Sequence, residues 1–143
     1  MKKLFILLFL LLYSFGFSQV KILSWNVENF GKSKSNAEIA YIATLLDKYD
    51  LVALQEVVAG YGGAQAVARL ADELNRKGNH WEYTISNPTT STPSKTERYA
   101  FLWKTAQLKK IGKAWLEKKY AIEMEREPYL CTFEYHNKQF TAV

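Results

Sequence analysis

A single cysteine, Cys131, stands in 143 residues. No internal disulfide can therefore brace the fold. Packing must hold it, helped by a bound metal if there is one. Cys131 lies in an apolar stretch and is expected as a small buried residue, not a reactive thiol. No internal repeat and no low-complexity segment occurs. Nor is there an apolar run long enough to cross a bilayer. The longest, Leu4 to about Phe17, has about 14 residues against the roughly 20 that a spanning helix needs. Lys2 and Lys3 precede it, and Gly16 and Ser18 follow at small-residue positions. That plan predicts a secretory signal peptide over residues 1–18, cleaved after Ser18. The mature chain is then secreted or periplasmic, with no stable membrane association. Without Lys2 and Lys3 the net charge falls from +5 to +3. That mild excess permits an anionic partner without demanding one.

What remains, residues 19–143, has the size and composition of one globular domain or part of one. Val20 to Trp25 reads as a first strand, closed by a loop at Asn29-Phe30-Gly31. Ser35-Asn36-Ala37-Glu38 fits a capping box and opens a helix, and Ile39, Ile42, Leu46 and Tyr49 follow at helical spacing. After Asp50 the run LVALQEV, residues 51–57, reads as a buried strand, so helix and strand form an α/β unit. A second helix is expected from about Gly63 to Lys77, with Gly78 as its stop. Strands are expected at 81–85, 98–103 and 129–135, with a surface loop at 87–97 between the first two. Residues 107–111 turn into a further segment, and 113–127 are charged and ambiguous. His136-Asn137-Lys138 turns the chain back into 139–143. The final FTAV reads as the first half of a buried strand, which suggests a chain cut inside a domain.

Four polar residues stand at strand ends. Glu56 ends the apolar run, where ligand sites of α/β folds gather, and a carboxylate fixed there can offer oxygen to a hard cation. Asn26, in SWNVENFG, can donate to a phosphate oxygen or support a metal-bound carboxylate. Glu97, in TERYAFLWK, and Arg126, in MEREPYLCTF, each precede a strand, and Arg126 has the fork that grips phosphate bidentately. Taken singly, each reads as an ordinary loop or surface group, and the neighbouring Glu123, Glu125 and Glu127 make a charged surface there the simple reading. Taken together they would furnish a metal-phosphate site, if all four ends lie on one rim. Spacing alone does not say whether they do.

SWNVENFG, a capped helix and DLVALQEV, in that order, resemble the opening of the endonuclease/exonuclease/phosphatase superfamily. TERYAFLWK and REPYLCTFEY are similar to its deoxyribonuclease I-like nucleases, and the resemblance covers about residues 20–143. It implies an α/β fold: the N-terminal half of a four-layer α/β sandwich, with one mixed sheet and flanking helices. It implies that Glu56, with Asn26, binds a divalent cation, Mg²⁺ or the similarly ligated Mn²⁺. Asn26 and Arg126 would contact the scissile phosphate, and Glu97 would orient a catalytic histidine. The implied reaction is attack of water on a DNA phosphodiester, with histidine acid-base help and metal stabilisation of charge.

Two departures qualify that reading. The family's minor-groove arginine, two places after the metal glutamate, is Val58 here, so DNA contact must come from elsewhere; Lys32, Lys34, Lys95 and Arg69 are available. The family's catalytic histidines fall beyond Val143, and His80 and His136 both read as loop residues. The chain is therefore expected to be the N-terminal portion of a secreted, monomeric, metal-dependent endonuclease, inactive alone. Two other readings stay open: a phosphatase or phosphodiesterase acting on a phospholipid or inositol phosphate, and a non-catalytic binding module.

Overall fold

The computed structural model describes residues 19–90, 92, 95–119, 121 and 123–143; the expected signal peptide lies outside them. Nine elements follow in chain order: β1 (Ile22–Phe30), α1 (Asn36–Leu46), β2 (Leu51–Val58), α2 (Tyr61–Asn75), β3 (Trp81–Ile85), β4 (Glu97–Lys104), β5 (Lys109–Leu116), β6 (Tyr129–Tyr135) and β7 (Lys138–Ala142). The capping box closes as expected. The Glu38 amide donates to Ser35 Oγ at 3.2 Å, and the Ser35 amide donates back to Glu38 Oε2 at 2.7 Å. Two free donors at the start of α1 are thereby satisfied.

The strands form two sheets. The first is mixed, in the order β1-β2-β4-β3, with β1 parallel to β2 and the other pairs antiparallel. It is the expected mixed sheet with helices on one face. The second, β5-β6-β7, is wholly antiparallel and covers the other face. Alternation along the central strands explains how. On β2 and β4, Val52, Leu54, Ala100 and Leu102 pack towards α1 and α2, beside Ile39, Leu46, Val67, Leu70 and Leu74. Leu51, Phe101 and Trp103 point the opposite way, against Tyr129, Cys131 and Phe133 of β6. Strands buried on both faces must be apolar throughout, as LVAL and AFLW are. Cys131 is fully buried there, and burial pushes its thiol up to about 11, so it has no thiolate character at neutral pH.

Boundaries moved where long-range pairing outweighs local signals. β1 does not end before Asn29. It makes an excursion at Val27–Asn29, with Glu28 and Asn29 at positive φ (42° and 52°), and rejoins β2 when Phe30 pairs with Val57. β5 runs through the ambiguous segment as far as Leu116, with an irregularity around Gly112. The β6–β7 hairpin turns on His136 and Asn137, both at positive φ (46° and 60°), the conformation that matches strand twist in two-residue hairpins.

Candidate active site

Parallel β1 and β2 bring their C-terminal ends, and so Asn26 and Glu56, to one edge of the mixed sheet. β4 runs the other way, so its first residue lies at the same edge: Glu97 pairs with Val58. The segment leading into β6 reaches this edge from the second sheet and delivers Arg126. A cavity of about 390 Å³ opens there, lined by Glu56, Glu97 and Arg126 together with Asn29, Val58, Gly60 and Lys95. All four candidates therefore meet on one rim.

Glu56 does not continue its strand in regular geometry. Opposite β4, Leu54 pairs with Ala100 but Val57 pairs with Arg98, so β2 carries one extra residue at this point. Glu56 takes φ +56°, a left-handed conformation uncommon for a residue with a Cβ. Bulges and such strained residues cluster at functional sites. The bulge turns the carboxylate out of the sheet and into the cavity. Asn26 Nδ2 donates to Glu56 Oε1 at 2.9 Å, and Asn26 Oδ1 accepts from the Glu28 amide at 3.0 Å. The Asn26 side chain is thus held at both ends, and it holds Glu56. Glu56 Oε2 accepts no hydrogen bond among the described residues.

Glu97 is 7% exposed and sits inside β4, one residue further into the strand than its sequence implied. Its carboxylate meets Arg126 Nη1 at 3.1 Å. Tyr99 hydrogen-bonds the same carboxylate. Burial first, then the charge and hydrogen bond of Glu97, push the Tyr99 phenol up to about 12. The tyrosine is therefore a fixed donor at any physiological pH, and Arg126 is aimed by Glu97 before any ligand arrives.

Three residues were not singled out by spacing. Arg98, half-buried, donates from Nε to the Ala59 carbonyl at 2.8 Å and from Nη1 to the Ser86 carbonyl at 2.7 Å. It pins the loop after Glu56 to the start of the loop before Glu97. Glu127 is 1% exposed, which corrects its reading as part of a charged surface. Its carboxylate accepts from the Thr90 amide at 2.9 Å and from the Thr90 hydroxyl. It thereby clamps the 86–96 loop against the Arg126 segment. Arg69 is likewise unavailable for phosphate: its guanidinium donates to the Lys34 carbonyl at 3.2 Å and to Asn36 Oδ1 at 2.5 Å, stapling α2 to the start of α1. Lys95 does line the cavity, paired with Glu125. His80 bonds Thr105 Oγ1 at 3.0 Å, and His136 packs edge-on against Tyr135. Neither lines the cavity, in keeping with their reading as loop residues.

Burial pushes the Glu127 carboxyl upward, but the Thr90 hydroxyl and amide, aided by its own amide and by Lys118, outweigh it and hold it below the ordinary value of 4.5. A folded pKa below the unfolded one gives stability that is present above the unfolded value and lost as pH falls through the folded one. The melting temperature is therefore expected to fall on acidification below about pH 4.5. Glu127→Gln should flatten that acid limb while lowering stability at neutral pH by about 1–3 kcal/mol, since the Thr90 donors lose half their acceptor. Melting curves of both proteins across the acid range check it; parallel acid limbs would discard the clamp.

Among the described residues, no three His, Cys, Asp or Glu side chains converge as a ready-made metal cage. Mg²⁺ keeps several waters and is held by one or two carboxylates plus substrate phosphates, not by an all-protein cage. One rigid carboxylate, with an oxygen free and its other oxygen anchored, is a donor set of that type.

The sequence model of the endonuclease/exonuclease/phosphatase family matches residues 23–129, which include all but the first residue of β1, then β2 to β5, with Glu56, Glu97 and Arg126. The chain belongs to that family. Among curated members, a deoxyribonuclease of Thioalkalivibrio sp. is 30% identical over 129 residues, 90% of this chain and 34% of that protein. Human deoxyribonuclease-1 is 34% identical over 99 residues, 67% of this chain and 34% of that protein. The chain thus spans about a third of the length of these relatives. Among solved structures, an endonuclease/exonuclease/phosphatase family protein from Leptotrichia buccalis superposes with a TM-score of 0.56 at 17% identity, over 87% of this chain and 54% of that one. That likeness shows the fold.

Proposed function

We propose that the chain is the N-terminal portion, residues 19–143, of the catalytic domain of a secreted, monomeric, metal-dependent endonuclease that hydrolyses DNA phosphodiesters, exported by a signal peptide at residues 1–18. One observation carries the reading: Glu56, Glu97 and Arg126, from separate strand ends, line one cavity, with Glu56 in a left-handed bulge and held by Asn26. The two deoxyribonucleases among the relatives support nucleic acid as the substrate class. No helix of the described residues is long and apolar enough to cross a membrane.

In this reading the Glu56 carboxylate would hold Mg²⁺ or Mn²⁺, with Asn26 fixing its orientation. When bound, the cation supplies charge neutralisation at the phosphate as negative charge builds. Arg126 grips non-bridging phosphate oxygens, and Asn26, which has a second amide hydrogen, can reach the same group. Water attacks phosphorus, a P–O bond forms, and the ester P–O bond to the leaving sugar oxygen breaks. A proton must leave the water, and one must reach the sugar oxygen. Glu97 would orient a histidine for that transfer, and no histidine of the described residues lines the cavity. That group comes from outside residues 19–143.

The chain by itself should therefore take up Mn²⁺ or Mg²⁺ in a calorimetric titration, lose that heat in Glu56→Gln, and fail to nick supercoiled plasmid. A longer protein containing the segment should nick DNA in preference to hydrolysing an inositol phosphate or phospholipid. Nicking by the chain alone, abolished by Glu56→Gln, would overturn the division of labour. Preference for the lipid or inositol substrate would reassign the enzyme to the phosphatases, and a flat metal titration would favour a binding module.

A further inference from the structure

Tyr61 is the most exposed large hydrophobic residue among those described, at 78%. It is the first residue of α2, directly after Ala59 and Gly60, which line the cavity beside Glu56. Its ring makes no stacking contact and its hydroxyl no hydrogen bond among the described residues. Val58, also exposed, lines the cavity at the end of β2. A fully presented aromatic plane one residue from a phosphate-sized polar cavity has no structural task in the fold.

Basic side chains stand near it. The first turn of α2 carries no acidic residue, and Gly60 makes no side-chain cap. Lys32 packs beside this turn: a Cβ placed on Gly62 would stand 2.9 Å from Lys32 Cβ. Lys95 and Arg126 line the cavity, paired with Glu125 and Glu97. Tyr61 follows Gly60, which lines the cavity, so its Cα lies about 3.8 Å from that of a cavity-lining residue.

We propose that Tyr61 stacks on an unpaired base next to the phosphate bound in the cavity, and so biases the site towards single-stranded or frayed nucleic acid. The proposal rests on the phosphodiester reading above and deepens it. A base offers its face to an exposed ring only when it has left the duplex stack. Alanine substitution at such stacking residues weakens single-strand binding by about 5- to 150-fold. Val58 fits this preference, because a small apolar side chain neither reads a groove nor repels a base.

The test is binding, which needs no turnover. Fluorescence anisotropy of the purified chain with Mg²⁺ would compare a short single strand, the same strand made abasic, and the matching duplex. Tyr61→Ala should weaken binding to the single strand at least about fivefold, leave the abasic strand unchanged, and be rescued by Tyr61→Phe. Tyr41→Ala removes an aromatic that is 65% exposed on α1 and does not line the cavity; it should change nothing. Equal weakening on the abasic strand, or no change on the single strand, overturns the stacking role. If Arg126→Ala weakens all three ligands while Tyr61→Ala weakens none, stacking alone fails and the phosphodiester site stands. If the wild-type chain binds none of the three, both readings fail.

Discussion

Gly63→Ala is expected to destabilise the chain by about 3 kcal/mol or more, at or beyond the upper end of ordinary overpacking. Gly63 lies in the first turn of α2, where the helix crosses the end of β2. A Cβ built on it would stand 1.9 Å from the Val58 carbonyl oxygen, 2.9 Å from its carbon and 3.0 Å from Val57 Cγ1. The first two obstacles are backbone, and pairing of Val58 with Glu97 holds them in place. No rotamer change relieves the clash. The helix must lift off the sheet, and Ala66, Val67 and Leu70 lose their packing with it. Gly60→Ala is the matched control: nothing lies within 4 Å of its added Cβ, and its φ of −70° is ordinary. It should shift stability by no more than about 0.5 kcal/mol. Denaturant titrations of the two variants check the contrast; equal midpoints would mean that α2 does not approach β2 so closely.

The second large effect is on chemistry. In a longer protein that nicks DNA, Glu56→Gln should lower kcat by about 10³-fold, since a cation's charge stabilisation is worth several kcal/mol and each 1.36 kcal/mol is a factor of ten. Glutamine keeps the volume and the chance of a hydrogen bond to Asn26, but removes the charge. Asn26→Ala leaves the carboxylate and removes its anchor, and should cost about 10- to 100-fold, the usual range for a group that orients a ligand. Single-turnover rates at saturating metal separate the two. A Glu56→Gln rate within tenfold of wild type would remove Glu56 from the metal site.

Local signals wrote much of this architecture plainly. The Ser35–Glu38 capping box fixed where α1 starts. The apolar run before Glu56 announced a strand covered on both faces, and WEYTI and YLCTFEY kept their full extent as strands. Period-two alternation does not say which sheet a strand joins, however, so the second sheet was hidden in β5, β6 and β7. Site details were hidden for a similar reason. The bulge at Glu56 exists only relative to β4, whose register is set some forty residues away in sequence. Glu127 sits among exposed glutamates and is distinguished only by Thr90, a partner that a loop brings to it. Arg69 looked like a free cation because its acceptors are a carbonyl and an amide oxygen, which composition does not flag.

The left-handed backbone at Glu56 has a consequence for any screen run on this protein. Glycine and asparagine occupy that conformation with less strain than glutamate. Either would be favoured at position 56 by selection for heat resistance alone, while removing the carboxylate that the cavity presents. On the proposed function, a thermostability campaign blind to activity would enrich variants that have lost the metal-binding carboxylate. On the same reading, a lineage released from selection for activity would drift the same way, and the residue at position 56 would record that release.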